Sequence, residues 1–359
     1  MIEAFQRLLG WAAKNERRIG AVVFVFGFIS DVLTFTLLPF NLVNIYFISF
    51  LTFAAICALG SHVLPNVGEG TSWLVRTLSV LFPLGAQYAL GNLLSGFVVF
   101  YSKNAEVAVS WPFILILVLA YIGSEYFRKY KTYLIFQTSL FFLVLYAYLI
   151  FALPLLVHTI GPWVFAGSTL AACVLFGVFL LLLRRLNQNR YLESRRNIVA
   201  AAAVLLAVVN VAYFTELIPP LPLTLTDSGI YYTLTKVPGG YTVSGEPEKS
   251  WWDLRTAVVH ADAGDVLYAY SAVKAPTLFG SRVAHVWEKK IDSDWIVMSR
   301  ASYPIAGGRE GGYRGYSQAT VSPGEWRVTV ETENGQTIGR VRFMVERAEP
   351  ESARVEKTL

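Results

Sequence analysis

One carboxylate in the middle of an apolar run is the first residue of this chain that invites chemistry. Asp31 sits inside FVFGFISDVLTFTLLPF, residues 24–40. Counted from Ile19 at ~1.5 Å per residue, it lies about 18 Å into a helical span. A carboxylate at that depth is expensive in lipid and needs a proton or a partner. The cation flanking the outer ends of the spans is Lys103, whose stem can snorkel, so an Asp31–Lys103 pair is expected. Gln87 falls near the middle of another apolar run. Asn92 lies on a stripe with Gly85, Ala89 and Gly96, and Asn210 on a similar stripe with Ala200, Ala203 and Ala207. Small residues let helices approach and an amide can bond across the contact, so these two stripes are expected to face each other. Asp31, Gln87, Asn92, Lys103 and Asn210 together form a candidate intramembrane polar pocket.

A second set lies far along the chain. GGREGGYRGY, residues 307–316, carries five glycines with Arg309 and Arg314. A phosphate cradle opens a helix, and no helical pattern follows, so this stretch reads as a loop between strands. Arg309, Tyr313, Arg314 and Tyr316 are its candidate contacts to an anionic or sugar ligand. His285 shares a strand face with Val283 and Trp287, the pattern of a core histidine. His260, with Asp262 and Asp265 nearby, is a combination too common by chance to name a metal centre.

The missing patterns matter as much. There is no HExxH helix, GxSxG elbow or phosphate-binding P-loop, and the seventh apolar run has no lysine for a retinal Schiff base. No catalytic residue, cofactor or metal is assigned, and a non-enzyme is favoured.

These residues are set on two kinds of element. The chain is 55% hydrophobic and 15% charged, and its apolar residues crowd before Leu217. Seven runs reach or approach the ~20 residues that cross a bilayer: 19–38, 42–60, 78–101, 111–126, 132–154, 162–183 and 198–217. With seven spans, thirteen Lys and Arg residues fall on one set of short flanks and Lys103 alone on the other. That bias places the first residues in the cytoplasm and the chain after the seventh run outside. The charged stretch GSEYFRKYKTYLIFQ, residues 123–137, is then a cytoplasmic loop whose cations fix orientation. The sequence pI of about 9.1 reflects such loops and anionic headgroups, not nucleic acid.

Residues 1–18 read as a cytoplasmic amphipathic segment, 19–217 as the transmembrane domain, 218–227 as a linker, 228–348 as an extracytoplasmic domain and 349–359 as a disordered tail. Both cysteines, Cys57 and Cys173, fall in spans, so the outer domain folds without disulfides. That domain alternates with period two. GEWRVTVET puts Trp326, Val328 and Val330 on one face, an Asn-Gly turn follows, and TIGRVRFMV returns with Val341, Phe343 and Val345. Seven to nine short strands argue for an immunoglobulin-like β-sandwich after a membrane all-α bundle.

AVKAPTLFGSRVAHVWEK, GGREGGYRGYSQA and SPGEWRVTVETENGQTIGRVRF together resemble the bacterial family known as domain of unknown function 2914, most strongly over 254–346. Its members often carry the domain after several spans, and FVVFYSKNAEVAVSWPF with FRKYKTYLIFQ resembles that arrangement. The resemblance implies a multi-pass protein of the bacterial inner membrane with a periplasmic domain. It implies no activity and carries no catalytic residues.

Two readings of function stand. In the first, the outward sandwich binds an envelope protein, a glycan or a lipid headgroup, and the bundle anchors it or relays binding. In the alternative, the bundle is a transporter or lipid-processing enzyme with an outward-opening polar pocket. Membrane lipids are the one partner common to both, and the sequence names no oligomeric state.

Overall fold

The computed structural model describes residues 28–34, 40–64, 72–104, 107–126, 134–218, 223–247, 256–275, 280–306, 311–347 and 354–359. The expected amphipathic segment 1–18, the FRKYK loop and Arg309 lie outside these residues, as does the side chain of Lys103.

Among the described residues seven helices come first: α1 (28–34), α2 (Phe40–Val63), α3 (Trp73–Asn104), α4 (Val107–Tyr126), α5 (Leu134–Val157), α6 (Pro162–Leu186) and α7 (Gln188–Phe214). Four of these, over Leu42–Val63, Leu134–Val157, Pro162–Leu186 and Gln188–Phe214, are long and apolar enough to cross a membrane, and Ser110–Gly123 of α4 is apolar but shorter. Pro83, Pro112 and Pro154 sit inside helices, which a bundle tolerates because neighbours can satisfy the freed carbonyls. Leu, Ile and Val side chains stand exposed along α2, α3, α6 and α7. Apolar surface of that extent marks a face that meets lipid or another protein.

The chain forms two compact units. One comprises Met1–Lys103, Ile114–Leu149 and Thr169–Val209; the other comprises Asn104–Phe113, Ile150–Ser168 and Asn210–Leu359. In the first unit α2 and α3 approach closely where side chains are small. A Cβ on Gly85 would come within 2.8 Å of Cys57 Sγ, and one on Gly60 within 2.5 Å of the Phe82 ring. Ala89 is fully buried and Phe47 stacks on Phe97 at 4.3 Å. The small stripe of α3 therefore packs on α2. On α7 the expected stripe is not buried: Ala200, Ala203 and Ala207 are exposed, and the buried side carries Ile198, Val209, Ala212 and Tyr213. Alanine stripes fit a close helix contact and a lipid-facing surface equally, so spacing alone picks the wrong face.

In the second unit α7 ends at an αL residue, Glu216, with Leu217 and Ile218 N–H both donating to Ala212 O. Eleven strands follow among the described residues: β1 (Thr224–Tyr231), β2 (Thr233–Val237), β3 (Gly240–Gly245), β4 (Ala257–His260), β5 (Val266–Lys274), β6 (Gly280–Ile291), β7 (Asp294–Ala306), β8 (Tyr313–Thr320), β9 (Gly324–Thr332), β10 (Thr337–Glu346) and β11 (Val355–Thr358). They form sheets ordered β1-β5-β8, β4-β10-β9-β6-β7 and β11-β3-β2. The all-β region is as expected, with two features beyond the expected sandwich: a parallel β4–β10 pair and a third sheet. YRGYSQAT is a strand, not a continuation of the glycine-rich loop. The last residues are a strand too, β11 on β3, where high charge suggested disorder. Backbone pairing to an open edge orders a segment whose side chains bury nothing.

The three- and five-stranded sheets close over Leu267, Ala269, Trp287, Trp326, Val328, Phe343 and Val345, all at most 2% exposed. Each large side chain so buried contributes about 2–3 kcal/mol. A smaller cluster of Leu223, Val273, Val283, Ile305, Val330 and Ile338 packs on Ile160, in the α5–α6 connection. There Asn334, from the Asn-Gly turn, donates to Ile160 O at 3.3 Å, and Gln336 bonds Tyr213 of α7. The β9–β10 turn is thus seated on helix ends within its own unit.

Candidate functional site

The parity of β5 and β8 sorts the candidate ligand residues. On β8, Tyr313, Gly315, Ser317 and Ala319 pair with Val273, Ser271, Ala269 and Leu267, so they share the core side. Arg314, Tyr316 and Gln318 pair with Ala272, Tyr270 and Tyr268 on the opposite face. Tyr313 therefore packs against the inner cluster. Arg314 and Tyr316 point away from it.

That outer face is rich in tyrosine. Tyr241 of β3 meets Tyr270 edge-on at 5.9 Å and Tyr316 at 5.7 Å. Tyr231 of β1 pairs with Tyr268, and its ring covers Gly229, where a Cβ would meet the hydroxyl at 2.5 Å. Asp227 is paired with Ala272 on β1, opposite Arg314 on β8, so an acid and a guanidinium flank one small residue. Tyr316 is 47% exposed, Tyr231, Tyr241 and Arg314 are half-buried, and Tyr270 is buried. Burial pushes the Tyr270 hydroxyl up to about 12, with Arg314 opposing the shift and Asp227 adding to it. The Tyr270 hydroxyl therefore stays protonated and can donate as well as accept. The alternation YxY in DVLYAYSAV and RxYxQ in YRGYSQAT is visible in the sequence, and parity applied to it would have added Tyr268 and Tyr270.

Behind this face lies a second polar group, wholly inside the sandwich. His285 Nε2 lies 2.8 Å from Ser271 Oγ and 3.0 Å from Tyr303 Oη, and His285 Nδ1 lies 2.9 Å from Ser317 Oγ. Trp287 Nε1 donates to the same Ser317 Oγ at 2.9 Å. Strands from both sheets contribute, so the group pins one to the other. Burial holds the His285 imidazole down at about 4, so it is neutral at physiological pH. Its serines are sealed from solvent, with Ser271 at 0% and Ser317 at 5% exposure. This is the core histidine that its strand face predicts.

His260 pairs with Glu246, Nδ1 to Oε1 at 2.9 Å, and Tyr232 donates to the same carboxylate. Burial alone would raise the Glu246 carboxyl, but the Tyr232 and His260 hydrogen bonds outweigh it and hold it below the usual range. Asp265 instead accepts from the Asp262 N–H in its own turn. Among the described residues, no three His, Cys, Asp or Glu side chains are grouped to hold a metal.

The membrane candidates divide. Asp31, 8% exposed, faces the Ser95 hydroxyl of α3 and acts electrostatically on Tyr46 of α2, which in turn donates to Asn92. Asp31 and Asn92 thus belong to one polar group on α1–α3. Gln87 is half-buried on α3, and Asn210 belongs to the other compact unit. Tyr46 and Ser95 escaped the sequence reading because single hydroxyls in apolar runs carry no distinctive spacing.

Residues 280–345 match the family described as protein of unknown function (DUF2914). That stretch spans β6 to β10. Among curated proteins none matches the chain. A solved structure of Pseudomonas fluorescens alkylpurine DNA glycosylase AlkC bound to DNA with an abasic site analog is similar over 85% of this chain and 99% of its own, at 11% identity and a TM-score of 0.23. A likeness that low carries no argument about fold or function.

Proposed function

We propose that this is a multi-pass inner-membrane protein of the bacterial envelope whose β domain faces outward and binds a hydroxyl-rich glycan on its tyrosine face. The observation that carries the reading is the shared outer face of Tyr231, Tyr241, Tyr270 and Tyr316 with Asp227 and Arg314. Tyrosine rings offer apolar faces for sugar C–H groups and hydroxyls at their rims. Asp227 and Arg314 add an acceptor and a forked donor. The helices anchor the domain, and the turn at Asn334 joins it to helix ends.

The test is a panel of neutral and anionic oligosaccharides presented to the full chain in lipid nanodiscs. A saccharide bound by the wild type should lose at least tenfold affinity with Tyr316→Ala or Asp227→Ala. No saccharide bound, or binding indifferent to both changes, sinks the proposal.

The alternative, a transporter or lipid-processing bundle, draws on the Asp31–Ser95 and Tyr46–Asn92 contacts. Asn92→Leu should then abolish solute or lipid turnover while leaving the β domain's saccharide binding intact.

A further inference from the structure

Strand β11 is held in an unusual way for an edge strand. It pairs antiparallel with β3, Val355 opposite Gly245, Glu356 opposite Ser244, Lys357 opposite Val243 and Thr358 opposite Thr242. Tyr241 and Leu359 extend the ladder by exchanging N–H···O bonds of 3.1 and 2.8 Å. Yet all four β11 side chains are exposed. Main-chain hydrogen bonds carry the pairing, and the sequence of the strand contributes little.

Two built features receive its end. Arg314 Nη1 donates to both Leu359 O and Gly239 O at 2.9 Å. Gly240 lies so close beneath Leu359 that a Cβ there would stand 2.1 Å from its carbonyl oxygen. The Pro-Gly-Gly sequence of the β2–β3 turn thus has two roles. Gly239, at φ 93°, makes the turn, and Gly240 leaves room for an incoming backbone. At the other end Arg354 stacks on the Tyr232 ring at 4.5 Å.

We infer that the edge of β3 is an acceptor site for an extended polypeptide strand, and that residues 354–359 are its displaceable resident. The partner it fits is a strand of another envelope polypeptide that lays its backbone along Tyr241–Gly245 and places a carbonyl between Gly240 and Arg314. Strand addition of this kind draws affinity from the main chain and tolerates varied side chains. The site adjoins the proposed saccharide face: Tyr241 gives its ring to that face and its backbone to this edge, and Arg314 borders both.

The experiment uses the full chain in nanodiscs and a fluorescent peptide of sequence RVEKTL, the resident strand supplied in trans. Because Tyr241 and Leu359 form a bonded pair, alternation makes Lys357 and Val355 the other ladder donors. Lys357→Pro removes one of these N–H groups and should open the edge. The peptide should bind Lys357→Pro at least tenfold more tightly than wild type. A disulfide between Ser244→Cys and Glu356→Cys, at a non-bonded pair, should abolish binding until it is reduced. Gly240→Val added to Lys357→Pro should also abolish it, with the melting midpoint of the β domain, followed by tryptophan fluorescence, kept at that of Lys357→Pro as a check of folding. No peptide binding to either Lys357→Pro or the Val355→Pro/Lys357→Pro double variant overturns the inference. So does binding that survives the disulfide or Gly240→Val.

Discussion

His285 shows how one buried residue ties the β domain's stability to pH. Its ring nitrogens face Ser271, Tyr303 and Ser317 across the two sheets, and none of it is exposed. In the unfolded chain the imidazole takes a proton near pH 6.5, whereas in the folded domain burial lowers that value to about 4. The unfolded state therefore binds more protons in this window. Stability is full above pH 6.5, declines as pH falls, and has lost this contribution by pH 4, about 3 kcal/mol in all. Melting of the wild type between pH 7 and pH 4.5, followed by tryptophan fluorescence, should show this slope. His285→Gln should lower stability at pH 7 and flatten the slope. An unchanged slope would mean that other groups set the acid limit.

At the scale of elements, the sheets are joined by a fit between a glycine and a ring. A Cβ on Gly315 of β8 would stand 2.3 Å from the Tyr303 ring of β7. Gly315→Ala should thus displace Tyr303 and cost about 2 kcal/mol, as overpacking does. Tyr303→Ala should cost less in the Gly315→Ala background than in wild type, a coupling read from a double-mutant cycle of melting. Strictly additive costs would argue that the sheets close by another route. The strands themselves were legible: GEWRVTVET and TIGRVRFMV pair as their alternation predicts, because each buries one face. YRGYSQAT was not read as a strand because glycines precede and interrupt it. The glycine that hides the strand is the one that admits Tyr303. Tyr313 was misassigned to the ligand face for the same reason: with no strand recognised, there was no parity to sort it from Arg314 and Tyr316. The α3 stripe marked a real contact, but spacing names a face and not its partner, which proved to be α2 through Cys57 and Phe53.

For the whole molecule the decisive quantity is how many helices cross the bilayer. Among the described residues α2, α5, α6 and α7 satisfy length and composition outright, whereas α3 and α4 do not, α4 having an apolar stretch only from Ser110 to Gly123. At ~1.5 Å per residue that stretch covers about 20 Å of a ~30 Å hydrocarbon core. Local thinning or snorkelling flanks can make up the difference. Cysteine accessibility resolves the count by parity, in a background with Cys57→Ala and Cys173→Ala. Gln188, at the start of α7, and Ala263, in the β4–β5 turn, are both exposed and have one helix between them. Gln188→Cys and Ala263→Cys should therefore react with an impermeant maleimide from opposite sides, the second from outside. Ser72, just before α3, is separated from Gln188 by four helices. If α3, α4, α5 and α6 all cross, Ser72→Cys should label from the same side as Gln188→Cys; if one of α3 and α4 only dips into the bilayer, the two should label from opposite sides. An outer Ala263→Cys together with inner Gln188→Cys and Ser72→Cys would place the tyrosine face and the β3 edge in the compartment where envelope glycans and polypeptides can reach them. Labelling of Ala263→Cys from the cytoplasmic side alone would remove both proposed partners at once.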